Sequence, residues 1–135
     1  KYVEEQLLAG KNVILEIEIQ GALKIKEKFP DTTLIFITTP NASELKKRLI
    51  GRNTESQEAI DARLSRAYEE SLGMEQYDYL VVNDTLEVCV DCVNNIIANE
   101  RTMNQKANED YRVSSNIEFI NNMRKELFGF SKGVE

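Results

Sequence analysis

The sequence has no histidine, no tryptophan and only two cysteines among its 135 residues. Cys89 and Cys92 form one C-x-x-C pair inside a helical pattern, and there is no second such pair. A structural zinc site needs about four nitrogen or sulfur ligands, so this composition argues against zinc binding. We therefore expect packed, reduced thiols at helical i, i+3 spacing, which are typical of a cytoplasmic protein.

Basic residues and long apolar runs are also scarce. The chain has 17 Lys and Arg against 23 Asp and Glu, which gives a net charge of -6. A general nucleic-acid-binding domain would have a basic face, so that function is disfavoured. No apolar run is long enough to span a membrane, and no signal-peptide pattern is present, so we expect no membrane partner. The first residue is Lys1 rather than Met, which suggests a truncated or processed start.

The hydrophobic pattern predicts helices that alternate with short strands. The predicted strands are 12–18, 33–38 and 79–82. The predicted helices are 2–9, 21–28, 44–52, 54–72, 84–101 and 113–128, with a polar joint at 104–110. The inner face of the helix 84–101 is predicted to contain Leu86, Val90, Val93, Ile96 and Ile97. Apolar strands that alternate with helices favour an α/β fold with a parallel sheet, whose ligands gather at the carboxyl ends of the strands.

Two carboxylates, Glu16 and Glu18, stand at the end of the first predicted strand. Residues two apart in a strand share a face, so both side chains would point the same way. One interpretation is a strand that simply emerges into water. The other is a site for Mg²⁺ or a nucleotide, because hard cations prefer carboxylate oxygen.

Four arginines follow on two consecutive predicted helices: Arg48, Arg52, Arg63 and Arg66. Their spacings of four and three residues place each pair on one side of its helix. Planar guanidinium groups suit phosphate oxygens and neutralise the charge that develops during phosphoryl transfer. The alternative is a solvated helical face without a ligand.

Asn83 and Asp84 follow the third predicted strand. Either side chain could cap the next helix. An asparagine amide at this position could also contact a purine ring.

Taken together, these features resemble one protein family, the guanylate kinases. The resemblance extends from about Tyr2 to Arg101 and rests on the order and spacing of its motifs. These are LEIEIQGA, ELKKRLIGRNTES, IDARLSRAYEE and YDYLVVND. It implies a partial P-loop nucleoside monophosphate kinase fold, in which a parallel sheet is flanked by helices and carries a helical lid. The implied core comprises 1–41 and 73–103, the lid is 42–72, and 104–135 is a C-terminal helical extension.

The resemblance also implies the role of each site residue. Glu16 would lie near the Mg²⁺-ATP phosphates, and Glu18 would accept hydrogen bonds from the guanine of GMP, where the family more often has Asp. Arg48, Arg52 and Arg63 would reach ATP and the transferred phosphoryl group, and Arg66 is a weaker match. Asn83 would lie close to the adenine of ATP. Mg²⁺, bound with ATP, is the implied cofactor.

Two departures from the family pattern matter. No G-x-x-x-x-G-K-[ST] loop is present, and the residues that hold GMP in the family would precede Lys1. In the family sheet the phosphate-binding strand lies between the strands that match 12–18 and 33–38. We therefore expect that these two strands pair directly, that a second copy or partner fills the gap through strand exchange, or that the central strand lies outside this chain.

Three functional hypotheses follow. The first is a guanylate kinase whose complete form phosphorylates GMP with ATP, whereas this chain alone is inactive or nearly so. The second is a non-catalytic guanylate-kinase-like module that binds proteins. The third is another nucleoside monophosphate kinase of similar fold, against which the carboxylate Glu18 and the VVND stretch argue.

Overall fold

The computed structural model describes residues 2–51 and 56–131 and contains helices around a small parallel sheet. The α-helices are α1 (Tyr2–Leu8), α2 (Ile19–Lys28), α3 (Ala42–Gly51), α4 (Gln57–Ser71), α5 (Leu86–Arg101) and α6 (Ile117–Ser131). The strands are β1 (Ile35–Thr38) and β2 (Tyr79–Val82). Three 3-10 helices occupy Met74–Gln76, Gln105–Tyr111 and Val113–Ser115. The predicted α/β class with a parallel sheet is confirmed.

Most predicted helices form, with ends that local chemistry explains. Gly10, with a φ of 81°, follows α1 in the left-handed conformation that glycine adopts without strain. Ser56 caps α4, since its side chain accepts a hydrogen bond from the Ala59 amide. Thr54, the predicted start of that helix, lies outside the described residues. The predicted helix 113–128 is divided into a 3-10 turn and α6.

The strands β1 and β2 pair in parallel, with Ile35 opposite Tyr79 and Thr38 opposite Val82. Because side chains alternate across a sheet, β2 contributes Leu80 to one face and Tyr79 and Val81 to the other. Helix α5 covers the second face, where Cys89 and Ile96 pack against Tyr79 and Val81. Helices cover both faces, which is the arrangement that apolar parallel strands require.

The first face carries the larger apolar cluster, which we call the α6 cluster. Its buried members are Ala42, Met74, Leu80, Val113, Ile120, Met123 and Leu127. Three of these residues come from α6 and one from α3, and Tyr68 of α4 packs against them. Helix α6, which lies in the segment predicted as a C-terminal helical extension, therefore contributes to the larger apolar cluster.

The predicted strand 12–18 is wrong. Residues 11–18 adopt neither helix nor strand among the described residues, and Ile14 is 79% exposed. The first of the three expected outcomes, direct pairing with the strand at 33–38, is therefore also wrong, since β1 pairs only with β2 in the described part of the chain. The physical reason is that a strand needs a neighbour for its backbone N–H and C=O groups, and the described sheet provides none beside this segment.

Two expectations for α5 need correction. The cap position is Thr85 rather than Asn83 or Asp84, and no side chain caps the helix there. Asn83 instead continues the sheet, since its N–H donates to the Thr38 carbonyl at 2.7 Å. The predicted inner-face residues Leu86 and Val90 are exposed, because the buried stripe runs through Cys89 and Ile96.

An ion pair joins α6 to the segment that follows α4. The Arg124 guanidinium donates to both carboxylate oxygens of Glu75, at 3.0 and 2.6 Å, and to the Ser71 carbonyl at 2.6 Å. The hydrogen bond from Arg124 lowers the pKa of Glu75 below its ordinary value of 4.5. This bidentate geometry is the strongest form of a guanidinium–carboxylate contact.

The Glu75–Arg124 pair is expected to make folding stability depend on acid pH. A carboxylate whose pKa is lowered on folding stabilises the fold above its unfolded pKa, and this contribution is lost as pH falls through the folded value. Glu75→Gln should therefore flatten the decline in the free energy of unfolding below about pH 4.5, measured by urea denaturation of this chain. Glu118→Gln, at an exposed position on α6, is the matched control. A Glu75→Gln curve parallel to wild type over this range would contradict the expectation.

Candidate functional site

The carboxyl ends of β1 and β2 lie side by side and form the centre of the candidate site. Their parallel register places Thr38 beside Val82, so both strands end at the same edge of the sheet. The hydrogen bond from Asn83 to the Thr38 carbonyl extends this pairing by one residue. Asn83 is half-buried there, immediately after the strand. Ligands of parallel α/β sheets gather at such an edge.

Arg48 connects α3 to this edge. Its Nη1 donates to the Asn83 carbonyl at 2.7 Å, and its Nη2 donates to the Asp84 carbonyl at 3.1 Å. Its Nε donates to the Glu44 carboxylate at 2.8 Å, one turn earlier on α3. A guanidinium carries five N–H donors, so donors on Nη1 and Nη2 remain for a ligand. The structure thus brings together Arg48 and Asn83, which the sequence analysis had assigned to one site.

The position of Glu44 explains how Arg48 is held. Asn41 precedes α3, and its side-chain oxygen accepts a hydrogen bond from the Glu44 amide at 2.7 Å. This bond fixes the first turn of the helix, and Glu44 then pairs with Arg48 at i, i+4 spacing. The sequence analysis missed Glu44, although its spacing from Arg48 was a usable signal.

Glu18 acts as the N-cap of α2. One carboxylate oxygen, Oε1, accepts a hydrogen bond from the Gly21 amide at 2.9 Å. A negative charge at this position is also stabilised by the positive end of the helix dipole. Because the side chain is exposed, its second oxygen remains accessible to a hydrogen-bond donor. The assignment of a binding role to Glu18 is therefore compatible with its structural role.

Charged groups from α4 lie near Glu18. Burial raises the pKa of Glu70, the positive charge of Arg66 opposes this rise, and the negative charge of Glu18 adds to it. Burial also raises the pKa of Tyr77, with the charges of Glu70 and Glu18 as further causes. The side chains of Glu18 and Glu70 therefore lie within electrostatic reach of each other, together with one of the four arginines. Sequence analysis did not single out Glu70.

Three predicted site residues remain to be placed, namely Glu16, Arg63 and Arg52. Glu16 is exposed in the segment 11–18, and because that segment is not a strand, Glu16 and Glu18 do not share the face of a strand as predicted. Arg63 is exposed on α4, and Arg52 lies outside the described residues. Among residues 2–51 and 56–131, no cluster of three or more acidic or cysteine side chains could hold a metal ion.

Comparison with known proteins identifies the family. The family model described as guanylate kinase matches residues 1–100, which is most of the chain. The chain belongs to the guanylate kinase family. Its helices and parallel sheet are accordingly a part of the guanylate kinase fold, and the resemblance predicted from the sequence motifs is confirmed.

Individual guanylate kinases are similar over the same part of the chain. The enzyme of Streptococcus mutans serotype c is 52% identical over 99 residues, which cover 73% of this chain and 47% of that protein. The guanylate kinase of Lactococcus lactis subsp. lactis is 47% identical over 110 residues, or 82% of this chain and 54% of that protein. That of Halalkalibacterium halodurans is 43% identical over 111 residues, with the same coverage. The chain spans about half the length of the curated relatives it matches.

One helix lies outside the part of the chain that matches the family model. Helix α6 lies beyond residues 1–100, the part that matches the guanylate kinase model, yet it supplies much of the α6 cluster. No helix within the described residues is both long and apolar enough to cross a membrane.

Proposed function

We propose that the complete protein containing this chain is a guanylate kinase, which transfers the γ-phosphoryl group of ATP to GMP and produces ADP and GDP. Membership of the guanylate kinase family supports this proposal. The single structural observation that carries it is the contact of Arg48 with the backbone of Asn83 and Asp84. This contact sets a guanidinium group at the carboxyl edge of a parallel sheet, where a nucleotide phosphate would be bound.

In this proposal each charged side chain has one task. Glu18 accepts hydrogen bonds from the guanine edge with its free oxygen, while Asn83 lies close to the adenine. Arg48, Arg52 and Arg63 neutralise the charge on the phosphates, and 42–72 acts as a lid that excludes water. Residues 1–41 and 73–103 form the core that holds this lid. Phosphoryl transfer needs positioning and charge neutralisation rather than covalent chemistry from the protein, and these residue types can supply both.

The residues present also fit Mg²⁺ bound with ATP. Mg²⁺ keeps several waters and is usually held by one or two carboxylates together with substrate phosphates. Glu16 offers an exposed carboxylate that no other described residue engages, so it could hold the ion through water. When bound, the ion would neutralise charge on the ATP phosphates.

The choice of acceptor nucleotide tests the proposed function. We expect the complete protein, assayed with ATP and Mg²⁺, to phosphorylate GMP at least about 10²-fold more efficiently in kcat/KM than AMP, CMP or UMP. The reason is that the hydrogen bonds from the guanine edge to the Glu18 carboxylate are lost when the base lacks the matching donors. A preference for one of the other three monophosphates would show a different kinase of similar fold, and no turnover of any would contradict the proposal.

A protein-binding module without catalysis is the alternative, and exposed apolar residues favour it. Ile37 of β1 and Leu86 of α5 are 52% and 70% exposed, and they could form part of a contact surface. The charged residues Glu18, Arg48, Arg52 and Arg63 favour the enzyme, because a protein-binding module would not need them to bind nucleotides. An intact phosphate-binding loop in the remainder of the protein would favour the enzyme, and an eroded loop would favour the module.

We also propose that the free edge of β1 is where a further strand pairs. Within the described residues β1 has a neighbour on one side only, and Ile37 is exposed beside that edge. The strand could come from the complete protein or, for this chain alone, from a second copy through strand exchange. Light scattering on the isolated chain distinguishes these cases, because strand exchange requires a dimer.

The free thiols of Cys89 and Cys92 support a cytoplasmic location.

A further inference from the structure

Helix α6 contacts both helices of the proposed lid. Its Ile120, Met123 and Leu127 are buried in the α6 cluster together with Ala42 of α3. The rings of Phe128 and Tyr68 meet edge to face with centroids 5.5 Å apart, which joins α6 to α4. At the C-terminal end of α6, the Lys46 ammonium of α3 lies 5.0 Å from the centroid of the Phe130 ring. Helix α6 lies beyond residues 1–100, the part that the family model matches.

The most specific contact is a hydrogen bond that crosses from α6 to the start of α3. The Ala42 amide donates to Oε1 of Glu126 at 2.9 Å. Ala42 is fully buried in the structure, and Glu126 is the acceptor of its N–H. The Glu126 carboxylate also lies at the positive end of the α3 dipole. Helix α3 is thus capped twice, by Asn41 from its own sequence and by Glu126 from α6.

A chain of contacts leads from this cap to the candidate site. The first turn of α3 also contains Glu44, whose amide bonds to Asn41 and whose carboxylate holds Nε of Arg48. Arg48 in turn bonds to the carbonyls of Asn83 and Asp84. A shift at the start of α3 therefore moves the carboxylate that orients the guanidinium. Small displacements of this kind are costly for catalysis that depends on positioning.

We propose that Glu126 is a positioning residue for phosphoryl transfer: by capping α3 at Ala42, it sets the location of Arg48 relative to the nucleotide. The inference rests on the proposed function, because it needs Arg48 to contact a phosphate. It goes beyond that function by assigning a task to α6. Arg124 supports the same arrangement, since its bonds to Ser71 and Glu75 fix α6 against the end of α4.

A double-mutant cycle in the complete protein tests the proposal. Glu126→Ala should lower kcat for GMP phosphorylation about 5-fold or more, with the KM for GMP unchanged within about 2-fold. Glu126→Gln should retain most of the rate, because the amide oxygen can accept the same hydrogen bond. In an Arg48→Ala background, Glu126→Ala should cause no further loss of kcat, because the side chain it positions is gone.

The control is Glu118→Ala, which removes an exposed glutamate from the same helix and should leave kcat unchanged. Hydrogen exchange of the α3 amides, measured on the same proteins, should rise in Glu126→Ala but not in Glu118→Ala. A purely structural role would give the same fractional loss in both Arg48 backgrounds, and that result, or an unchanged kcat in Glu126→Ala, would overturn the proposal. If the wild-type protein did not phosphorylate GMP at all, the proposed function would fail instead.

Discussion

The isolated 135-residue chain is expected to phosphorylate GMP at least about 10⁴-fold more slowly than the complete protein under the same conditions. The chain has no G-x-x-x-x-G-K-[ST] loop, so it lacks the backbone N–H groups and the lysine that hold ATP phosphates in P-loop kinases. The arginines alone can neutralise charge on the phosphates, but they cannot align the two nucleotides. Alignment is the larger part of catalysis in this reaction class.

The measurement is ADP production in a coupled assay with ATP, Mg²⁺ and GMP. Circular dichroism and urea unfolding of the same sample serve as the control, since they must show that the isolated chain is folded. The large α6 cluster, which contains buried residues from α3, β2 and α6, gives a reason to expect a folded state. Turnover within about 10-fold of the complete protein would contradict this account of how the rate is produced.

Removal of one guanidinium is expected to have the next largest effect. In the complete protein, Arg48→Ala and Arg63→Ala should each lower kcat for GMP about 10²- to 10³-fold, because in the proposed function each group neutralises charge on the transferred phosphoryl. Arg48→Lys should recover only part of the loss, since an ammonium group cannot bridge two acceptors as the planar fork does. Steady-state kinetics with both substrates varied provide the measurement.

Arg101→Ala is the matched control for these variants. Arg101 is exposed at the C-terminal end of α5, and the 16-residue helix separates it by about 24 Å from the carboxyl edge of the sheet. The kcat of the Arg101→Ala variant should equal that of the wild-type protein. The Arg48 variant also loses hydrogen bonds to Asn83 and Asp84, so its unfolding curve must be compared as well. A kcat loss explained entirely by the unfolded fraction would contradict a role for Arg48 at the nucleotide.

The sequence predicted well those elements whose stability is local. The helices α1 to α5 and the strands β1 and β2 follow from apolar periodicity, from Gly10 at the end of α1 and from the cap Ser56 at the start of α4. The strand prediction for 12–18 failed because strand propensity depends on the side chains of the segment. It does not show whether a neighbouring strand is present to pair with it. Its apolar residues would suit a buried strand, but the described sheet leaves Ile14 exposed. Pairing partners cannot be deduced from the segment itself.

The candidate site was predictable to a similar degree. Parallel strand ends meet at one edge, so the proximity of Asn83 to Arg48 could be expected once motif order was recognised. The contact of Glu126 with Ala42 could not be predicted, since 84 residues separate them and no local spacing relates them. The cap formed by Glu18 was also missed, because the N-cap residues that a sequence signals are Ser, Thr, Asp and Asn rather than Glu.

The central claim is that charged groups of this chain bind the polyphosphate of the nucleotides. A combined variant tests this claim most directly. Glu16→Gln, Arg48→Ala and Arg63→Ala are introduced together into the complete protein, and kcat/KM for GMP is measured with saturating ATP and Mg²⁺. The account predicts a decrease of at least about 10³-fold in a protein that remains folded. Turnover of GMP equal to that of wild type would contradict it.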